Sequence, residues 1–229
     1  FRATSADGLA RFLWQQRDRL AVDTETSRDG PWNCRLYRIG FGTDRDVAIY
    51  APRSCVDGRP LLSEGEEEAQ RCVVADFFAR TTTRLPLHNW FQFDSIVLHR
   101  HGMPIDDAKV FDTLVAHAKG RTSELPHELG FVASQYTDAP AWKRSPTDDD
   151  DMDRYLADDV ANTWAVADPV WRELARLNVG LYPRTLAGVD ASGESRDLTQ
   201  QEIYEVVKRS GPKIRGRLGV RSEIEAMRS

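Results

Sequence analysis

The segment LAVDTET, residues 20–26, decides how this chain of 229 residues is expected to fold. Its first three residues are apolar, as in a strand buried inside a sheet, and two acidic residues follow at alternate positions. Side chains two positions apart in a strand point to the same side, so Asp23 and Glu25 project together where the strand ends. An isolated Asp-x-Glu is more often a solvated strand end. The apolar residues before Asp23 favour a buried strand with both acids at its end. Two carboxylates there repel each other unless a cation or a proton compensates their charge.

Hydrophobic periodicity on both sides of this segment predicts further strands and helices. Strands are expected at residues 36–42, 47–51, 84–87 and 109–111. Helices are expected at residues 9–20, 66–80, about 91–101, 112–119, 125–136 and about 150–177. Strands interleaved with helices favour an α/β fold in which helices cover a mixed sheet. The apolar content of 41% is sufficient for a packed core.

Two later segments carry acidic residues that could complete a site. Asp94 ends the segment HNWFQFD, residues 88–94, near the start of a predicted helix. Tyr155 and Asp159 lie four positions apart in the long predicted helix and therefore share one face, whereas Asp158 should point elsewhere. Each segment alone has an ordinary explanation, with Asp94 as a partner of the helix dipole and Tyr155 as a core residue beside an acid.

The acidic residues of the three segments are together suited to bind metal ions. Hard cations such as Mg²⁺ and Mn²⁺ prefer carboxylate oxygens. Two such ions ~4 Å apart stabilise both the attacking and the leaving oxygen of a phosphoryl displacement. No cysteine site competes, since Cys34, Cys55 and Cys72 lack metal-type spacing. The sequence therefore predicts a site that holds two divalent cations, Mg²⁺ or Mn²⁺, and cleaves a phosphodiester.

The three segments also resemble the motifs of a known family. DTET at residues 23–26, NWFQFD at 89–94 and YLADD at 155–159 look like the motifs of DEDD-superfamily 3′→5′ exonucleases, in the branch with tyrosine in its third motif. The resemblance covers roughly residues 5–175. It implies a ribonuclease H-like α/β fold, a mixed sheet flanked by helices, and metal-dependent hydrolysis of nucleic acid from the 3′ end.

The same resemblance implies a role for each motif residue. Asp23 would bridge both metal ions. Glu25 and Asp159 would complete the shell of the first ion, and Asp94 would hold the second. Tyr155 would position the water that attacks phosphorus. The pocket for the terminal nucleotide would be lined by Thr24, Thr26 and Asn89.

Shorter segments distinguish branches of this superfamily. AIYAP at residues 48–52 and FDT at 111–113 are similar to the proofreading domains of family-A DNA polymerases, although ribonuclease D shares the FDT segment and the third motif. This similarity implies cleavage of single-stranded DNA 3′ ends to nucleoside 5′-monophosphates during DNA replication, with a polymerase domain or subunit as a partner. WKRSP at 142–146 is closer to ribonuclease D, so an RNA 3′→5′ exonuclease is the first alternative. The second is a non-catalytic module that binds nucleic acid or a polymerase, although the presence of all five site residues argues against it.

Charge and composition bear on the rest of the chain. The net charge of −5 argues against an extended surface that binds nucleic acid, but it allows binding of a few nucleotides at the end of a nucleic-acid strand. Residues 148–151 are four aspartates and are expected to form a solvated loop at a helix start. Residues 1–179 are predicted to form the exonuclease domain. Residues 180–229 are predicted to form a linker and a helical appendage, with a capping box at 199–202 and a basic stretch at 208–221.

Membrane association is not expected from this sequence. No apolar run approaches the ~20 residues of a membrane-spanning helix, and no signal peptide opens the chain. Because the chain begins with Phe1 rather than Met, we expect a fragment or a processed product. The expected location is the cytoplasm, or the host-cell cytoplasm for a phage protein.

Overall fold

The computed structural model describes residues 1–120 and 125–179 and, beyond them, the strands Ala187–Val189 and Ser195–Asp197. Residues Phe1–Trp171 form one compact unit, and Arg172–Ser229 form a second. Every predicted site residue belongs to the first unit. In the second unit, the two strands pair in antiparallel orientation. The boundary expected after residue 179 stays a prediction, and the segments at 199–202 and 208–221 lie outside the described residues.

Three antiparallel strands form the central sheet of the first unit. They are β1 (Ala21–Thr26), β2 (Leu36–Gly42) and β3 (Val47–Tyr50), hydrogen-bonded in that order. Two shorter strands, β4 (Leu85–Leu87) and β5 (Val110–Asp112), pair in parallel orientation, and β4 lies beside β1. The described strands of the first unit thus include antiparallel and parallel pairs, in two separate hydrogen-bonded sheets.

Six α-helices lie in the part of the chain that the structure describes: α1 (Ala6–Gln16), α2 (Glu64–Arg80), α3 (Asp94–Arg100), α4 (Thr113–Gly120), α5 (Leu129–Tyr136) and α6 (Asp149–Val179). α1 ends at residue 16 instead of 20, because the chain turns at Arg19 and Leu20 is buried just ahead of β1. α5 begins at residue 129 instead of 125, because Pro126 disfavours helical backbone at the residue before it and Glu128 is still extended. None of these helices is long and apolar enough to cross a membrane.

The two faces of the central sheet have different neighbours. One face packs against the main hydrophobic core, in which Phe77 and Phe78 of α2 are completely buried. The other face contacts α6 through a smaller apolar cluster of Ala21, Ile49, Ala51, Leu156 and Val160. Alternate residues of a strand point to opposite faces. Asp23 and Glu25 therefore lie on the same face as Ala21, which is the face that α6 covers.

A glycine in β2 lets α6 approach the central sheet closely. Gly40 is the residue of β2 that pairs with Asp23. A Cβ atom at position 40 would lie 2.7 Å from Val160 Cγ2 and 2.9 Å from Leu156 Cγ, which is closer than packed carbon atoms tolerate. The absence of a side chain at Gly40 therefore brings the third motif of the chain next to the strand that carries the first.

Arg38 of β2 fixes the beginning of α6 to the sheet. Its side chain is completely buried, and its guanidinium donates to Asp149 Oδ1 at 2.7 Å and to Asp153 Oδ1 at 2.6 Å. It also donates to the backbone carbonyls of Tyr37, at 2.8 Å, and Arg53. The two aspartates are four positions apart and therefore share one helix face. The buried Arg38 guanidinium thus links the first two turns of α6 to β2, and Arg2 adds a second ion pair to Asp153 at 2.7 Å.

The acidic run at residues 148–151 lies at a helix start, as expected, but it is not simply solvated. Three of its members form ion pairs with arginines from other parts of the chain: Asp149 with Arg38, Asp150 with Arg2 and Asp151 with Arg144. The Asp150 side chain remains 81% exposed. Sequence reasoning missed the pairs because two of these arginines precede the run by more than a hundred residues.

Replacing Asp149 with asparagine should make the melting temperature less sensitive to acid. Burial opposes ionisation of Asp149, but the bonds from the Cys55 N–H and the Arg38 guanidinium outweigh it and lower its pKa from the usual 3.8 to about 2. A carboxylate with a lowered pKa stabilises the fold fully above its unfolded-state pKa, and this stabilisation is lost as pH falls through the folded-state value. We therefore expect the melting temperature of the wild type to fall more steeply than that of Asp149→Asn between pH 3.8 and about 2.

The control for this measurement is Asp150→Asn, because the Asp150 carboxylate is largely exposed and should contribute little. Its melting temperature should follow the wild-type dependence on pH. Identical acid dependence in the wild type and in Asp149→Asn would show that the pair with Arg38 does not contribute to stability.

Candidate metal centre

The first and third motifs meet where β1 faces α6. Asp23 and Glu25 project from β1, and Asp159 projects from α6. One carboxylate oxygen from each residue lies within 4.8 Å of those of the other two. Asp159 is buried, whereas Asp23 and Glu25 are partly exposed. Three carboxylates at this spacing can share a divalent cation.

Asp94 is not a member of the group whose carboxylate oxygens all lie within 4.8 Å of one another, but its charge acts on two of that group's members. It opens α3, directly after the short 3-10 helix Trp90–Gln92, and it is buried. Its Oδ1 accepts a short hydrogen bond from the Thr24 hydroxyl. Its charge also contributes to raising the pKa values of Asp23 and Glu25. Asp94 therefore belongs electrostatically to the same site.

Burial and mutual repulsion make the site unfavourable for negative charge unless a cation is present. Burial, followed by repulsion from Asp159, raises the pKa of Asp23 well above its usual range and that of Glu25 to about 8. Burial also raises the pKa of Asp94 to about 7, although the hydrogen bond from Thr24 opposes this shift. A divalent cation would compensate the repelled charges, and a donor set of carboxylates alone matches hard ions such as Mg²⁺ and Mn²⁺. The residues thus fit the cations that the sequence predicts.

Trp142 and Lys143 complete the surroundings of Asp159. The Trp142 Nε1–H donates to Asp159 Oδ1 at 2.5 Å. The Lys143 ammonium donates to Oδ1 at 2.7 Å and to Oδ2 at 2.8 Å. Sequence reasoning used this segment only for its similarity to ribonuclease D and assigned no site role to it. The available signal was a pair of strong donors shortly before a motif whose buried acid needs hydrogen-bond partners.

Tyr155 lies one turn before Asp159 and faces the same site. The Lys143 ammonium donates to its hydroxyl oxygen at 3.2 Å. Partial burial and the charge of Asp159 raise the pKa of Tyr155, so its hydroxyl keeps its proton at neutral pH. A protonated hydroxyl can orient a water molecule by hydrogen bonding. Asp158 has a different partner, Arg144 at 3.8 Å, and its side chain is 49% exposed.

The three residues predicted to line a nucleotide pocket differ in their surroundings. Thr24 is buried, and its hydroxyl is used by Asp94. The Thr26 hydroxyl donates to the carbonyl of Ser27 at 3.1 Å. Asn89 has left-handed backbone, with φ 67°, and turns the chain between β4 and the 3-10 helix. Contact of Thr24, Thr26 and Asn89 with a nucleotide stays a prediction.

Comparison with known proteins finds similar structures but no matching family. No protein-family model and no curated protein matches this chain. The solved apo form of a nuclease aligns over 77% of this chain and 80% of its own, with a TM-score of 0.55 and 19% identity. The catalytic core of RRP6 from Trypanosoma brucei aligns over 78% of this chain and 47% of its own, with a TM-score of 0.54 and 17% identity.

These similarities define the class of fold. The chain has the fold of nucleases, and the ribonuclease H-like architecture expected from the sequence is confirmed by the likeness to the RRP6 core. Because both identities are below 20%, the likeness shows the fold alone. The narrower similarity to proofreading domains of family-A polymerases stays a prediction.

Proposed function

We propose that this protein is a metal-dependent 3′→5′ exonuclease that shortens single-stranded DNA and releases nucleoside 5′-monophosphates. The convergence of Asp23, Glu25 and Asp159 within 4.8 Å, on a fold similar to those of nucleases, supports this proposal most strongly. Carboxylates are seldom gathered in partly buried places unless something compensates their charge. A site for divalent cations explains why three of them meet here.

Each of the five core residues has a role in this proposal. Asp23, Glu25 and Asp159 would hold the first cation. Asp94 would hold the second, with Asp23 as a further ligand. When bound, the two cations, Mg²⁺ or Mn²⁺, neutralise the charge that develops on the attacking and leaving oxygens. Asp94 is held in position by the hydrogen bond from Thr24.

Tyr155 supplies the orientation of the nucleophile. Its protonated hydroxyl, beside Asp159, holds the attacking water in line with the scissile bond. The oxygen of that water joins phosphorus, and the bond from phosphorus to the 3′ oxygen of the shortened strand breaks. That 3′ oxygen takes up a proton, and the terminal nucleotide leaves as a 5′-monophosphate.

RNA is the second candidate substrate. The segment at residues 142–146 is the part of the chain most similar to ribonuclease D, and two of its residues, Trp142 and Lys143, contact Asp159 directly. The preference for DNA rests on the segment at 48–52, since the segment at 111–113 is shared with ribonuclease D. From the same segment we propose a role in proofreading during replication, with a polymerase domain or subunit as partner.

Matched oligonucleotides test both the reaction and the substrate. We expect Mn²⁺ or Mg²⁺ to support stepwise shortening of a 5′-labelled single-stranded DNA from its 3′ end, and an excess of EDTA to abolish it, because the cations provide most of the charge stabilisation. An RNA of the same sequence, assayed in parallel, should be shortened more slowly. Faster cleavage of the RNA would favour the second candidate, and internal cleavage of either strand would contradict an exonuclease.

Metal binding separates an enzyme from a module that only binds nucleic acid. Calorimetric titration should detect Mn²⁺ binding to the wild type, because three carboxylates within 4.8 Å of one another suit a hard divalent cation. A protein that binds single-stranded DNA, lacks measurable Mn²⁺ affinity and leaves the DNA intact would be the non-catalytic module instead.

A further inference from the structure

Lys143 has the contacts of a cation bound in the carboxylate site. Its ammonium donates to both carboxylate oxygens of Asp159, at 2.7 and 2.8 Å, and to the hydroxyl oxygen of Tyr155 at 3.2 Å. Its positive charge also counteracts the upward shift in the pKa values of Asp23 and Glu25. A single ammonium thus compensates charge on both the β1 and the α6 side of the site.

We propose that Lys143 is a built-in counter-cation, which occupies the place of the first metal ion and which that ion must displace in order to bind. The inference rests on the proposed function, because it concerns the same carboxylates and the same ions. It adds a competition between an internal cation and an external one, and this competition sets the metal concentration at which the site fills.

Distances make simultaneous occupation unfavourable. A Mg²⁺ ion binds carboxylate oxygens at about 2.0–2.1 Å. An ion at that distance from Asp159 would stand a few ångströms from an ammonium that already contacts both oxygens of the same carboxylate. Two cations so close repel each other strongly in a partly buried site. One of them must therefore leave the Asp159 carboxylate.

The Lys143 side chain is able to leave. It is 43% exposed, and a lysine stem has four flexible carbons. Its ammonium lies 5.7 Å from the centre of the Trp142 ring and 5.2 Å from that of Tyr155. These aromatic contacts and the ion pair hold it in the absence of metal, and its partial exposure leaves it access to solvent. Arg144 next to it pairs with Asp151 instead and has no contact with Asp159 among the described hydrogen bonds.

The stability of the metal-free protein tests whether Lys143 compensates the charge of the carboxylates. In EDTA, Lys143→Met should lower the melting temperature, because the carboxylates lose their counter-cation. In an Asp159→Asn background, which keeps an acceptor for Trp142, the same substitution should lower it much less. Equal effects of Lys143→Met in both backgrounds would overturn the assignment of Lys143 as the counter-cation of Asp159.

The affinity for Mn²⁺ tests whether the metal ion has to displace Lys143. In calorimetry, Lys143→Met should bind Mn²⁺ at least about tenfold more tightly than the wild type, because no internal cation has to be removed. Arg144→Met, which removes the same charge from the neighbouring residue, should bind Mn²⁺ with an affinity within about twofold of the wild type. Equal affinities of the wild type and Lys143→Met would overturn the displacement.

Chemical labelling detects the displacement itself. Mn²⁺ should increase the rate at which an acylating reagent modifies Lys143, measured by mass spectrometry, because the released side chain is exposed and no longer paired. Lys109, whose ammonium donates to the carbonyls of Phe78 and Ala79, should be modified at a rate that does not depend on Mn²⁺. A rate at Lys143 that is unchanged at saturating Mn²⁺ would overturn the proposal.

The metal-dependent function and the role of Lys143 would be disproved by different results. If neither the wild type nor Lys143→Met binds Mn²⁺, the proposed metal-dependent function fails, and displacement fails with it. If both proteins bind Mn²⁺ equally, the metal site stands and only the role of Lys143 is wrong. If Mn²⁺ binds only after Lys143 is removed, Lys143 occupies the site but is not displaced, and both the displacement and the metal-dependent function of the wild type fail.

Discussion

Asp23→Asn is expected to reduce phosphodiester hydrolysis by at least ~10³-fold, because loss of a proposed ligand of both cations would remove several kcal/mol of transition-state stabilisation. The same substitution should raise the melting temperature in EDTA. Burial and repulsion by neighbouring carboxylates raise the pKa of Asp23 well above its usual range, so its charge destabilises the metal-free fold. A substitution that lowers activity and raises the melting temperature indicates a residue that serves function rather than packing.

Single-turnover assays with the single-stranded DNA substrate and thermal unfolding in EDTA provide the two measurements. Asp158→Asn is the matched control, because this neighbour of Asp159 is half-exposed and has Arg144 as its nearest partner. We expect this control to retain wild-type activity. Near-wild-type hydrolysis by purified Asp23→Asn would disprove the assignment of the site.

Arg38→Met is expected to have the largest effect on stability. The buried guanidinium holds Asp149 and Asp153 at the start of α6, and its loss leaves Asp149 without its ion-pair partner and Asp153 with Arg2 alone. Removing one side of a buried ion pair costs about 3–5 kcal/mol. The free energy of unfolding, measured by urea denaturation, should fall by that amount. Activity of the folded fraction should fall as well, because α6 carries Tyr155 and Asp159.

Two further variants separate loss of the ion pair from loss of packing. Arg53→Met removes an exposed arginine whose partner Glu67 lies 3.3 Å away, and we expect it to change the unfolding free energy by less than about 1 kcal/mol. Adding Asp149→Asn and Asp153→Asn to Arg38→Met should recover part of the lost stability, because the uncompensated charges are then gone. No recovery in the triple variant would mean that Arg38 acts through the volume of its side chain.

Much of the fold could be predicted from the sequence because its signals are local. The boundaries of β2 to β5 agree with the expected strands to within one residue. The alternation in β1 correctly indicated that Asp23 and Glu25 share a face, and helical spacing correctly paired Tyr155 with Asp159. The errors at the end of α1 and at the start of α5 lie at helix boundaries, where capping and proline effects compete with periodicity.

The parts of the site that escaped prediction depend on contacts between distant segments. Arg38 lies 111 residues before Asp149, and no local pattern identifies it as the partner of an acidic run. Lys143 lies in an irregular segment, where neither period 2 nor period 3.6 predicts the direction of a side chain. Its contact with Asp159 depends on how that segment folds back over α6.

By itself, the sequence determined which residues form the strands and helices and which acids point the same way along each of them, since these follow from the geometry of neighbouring residues. Only the tertiary structure decided that Asp23, Glu25 and Asp159 meet within 4.8 Å and that Asp94 is not part of that group. It also decided that an internal ammonium already contacts Asp159. The reason is physical: burial and Coulomb interactions depend on distances in space, and the packing of α6 on β2 sets those distances.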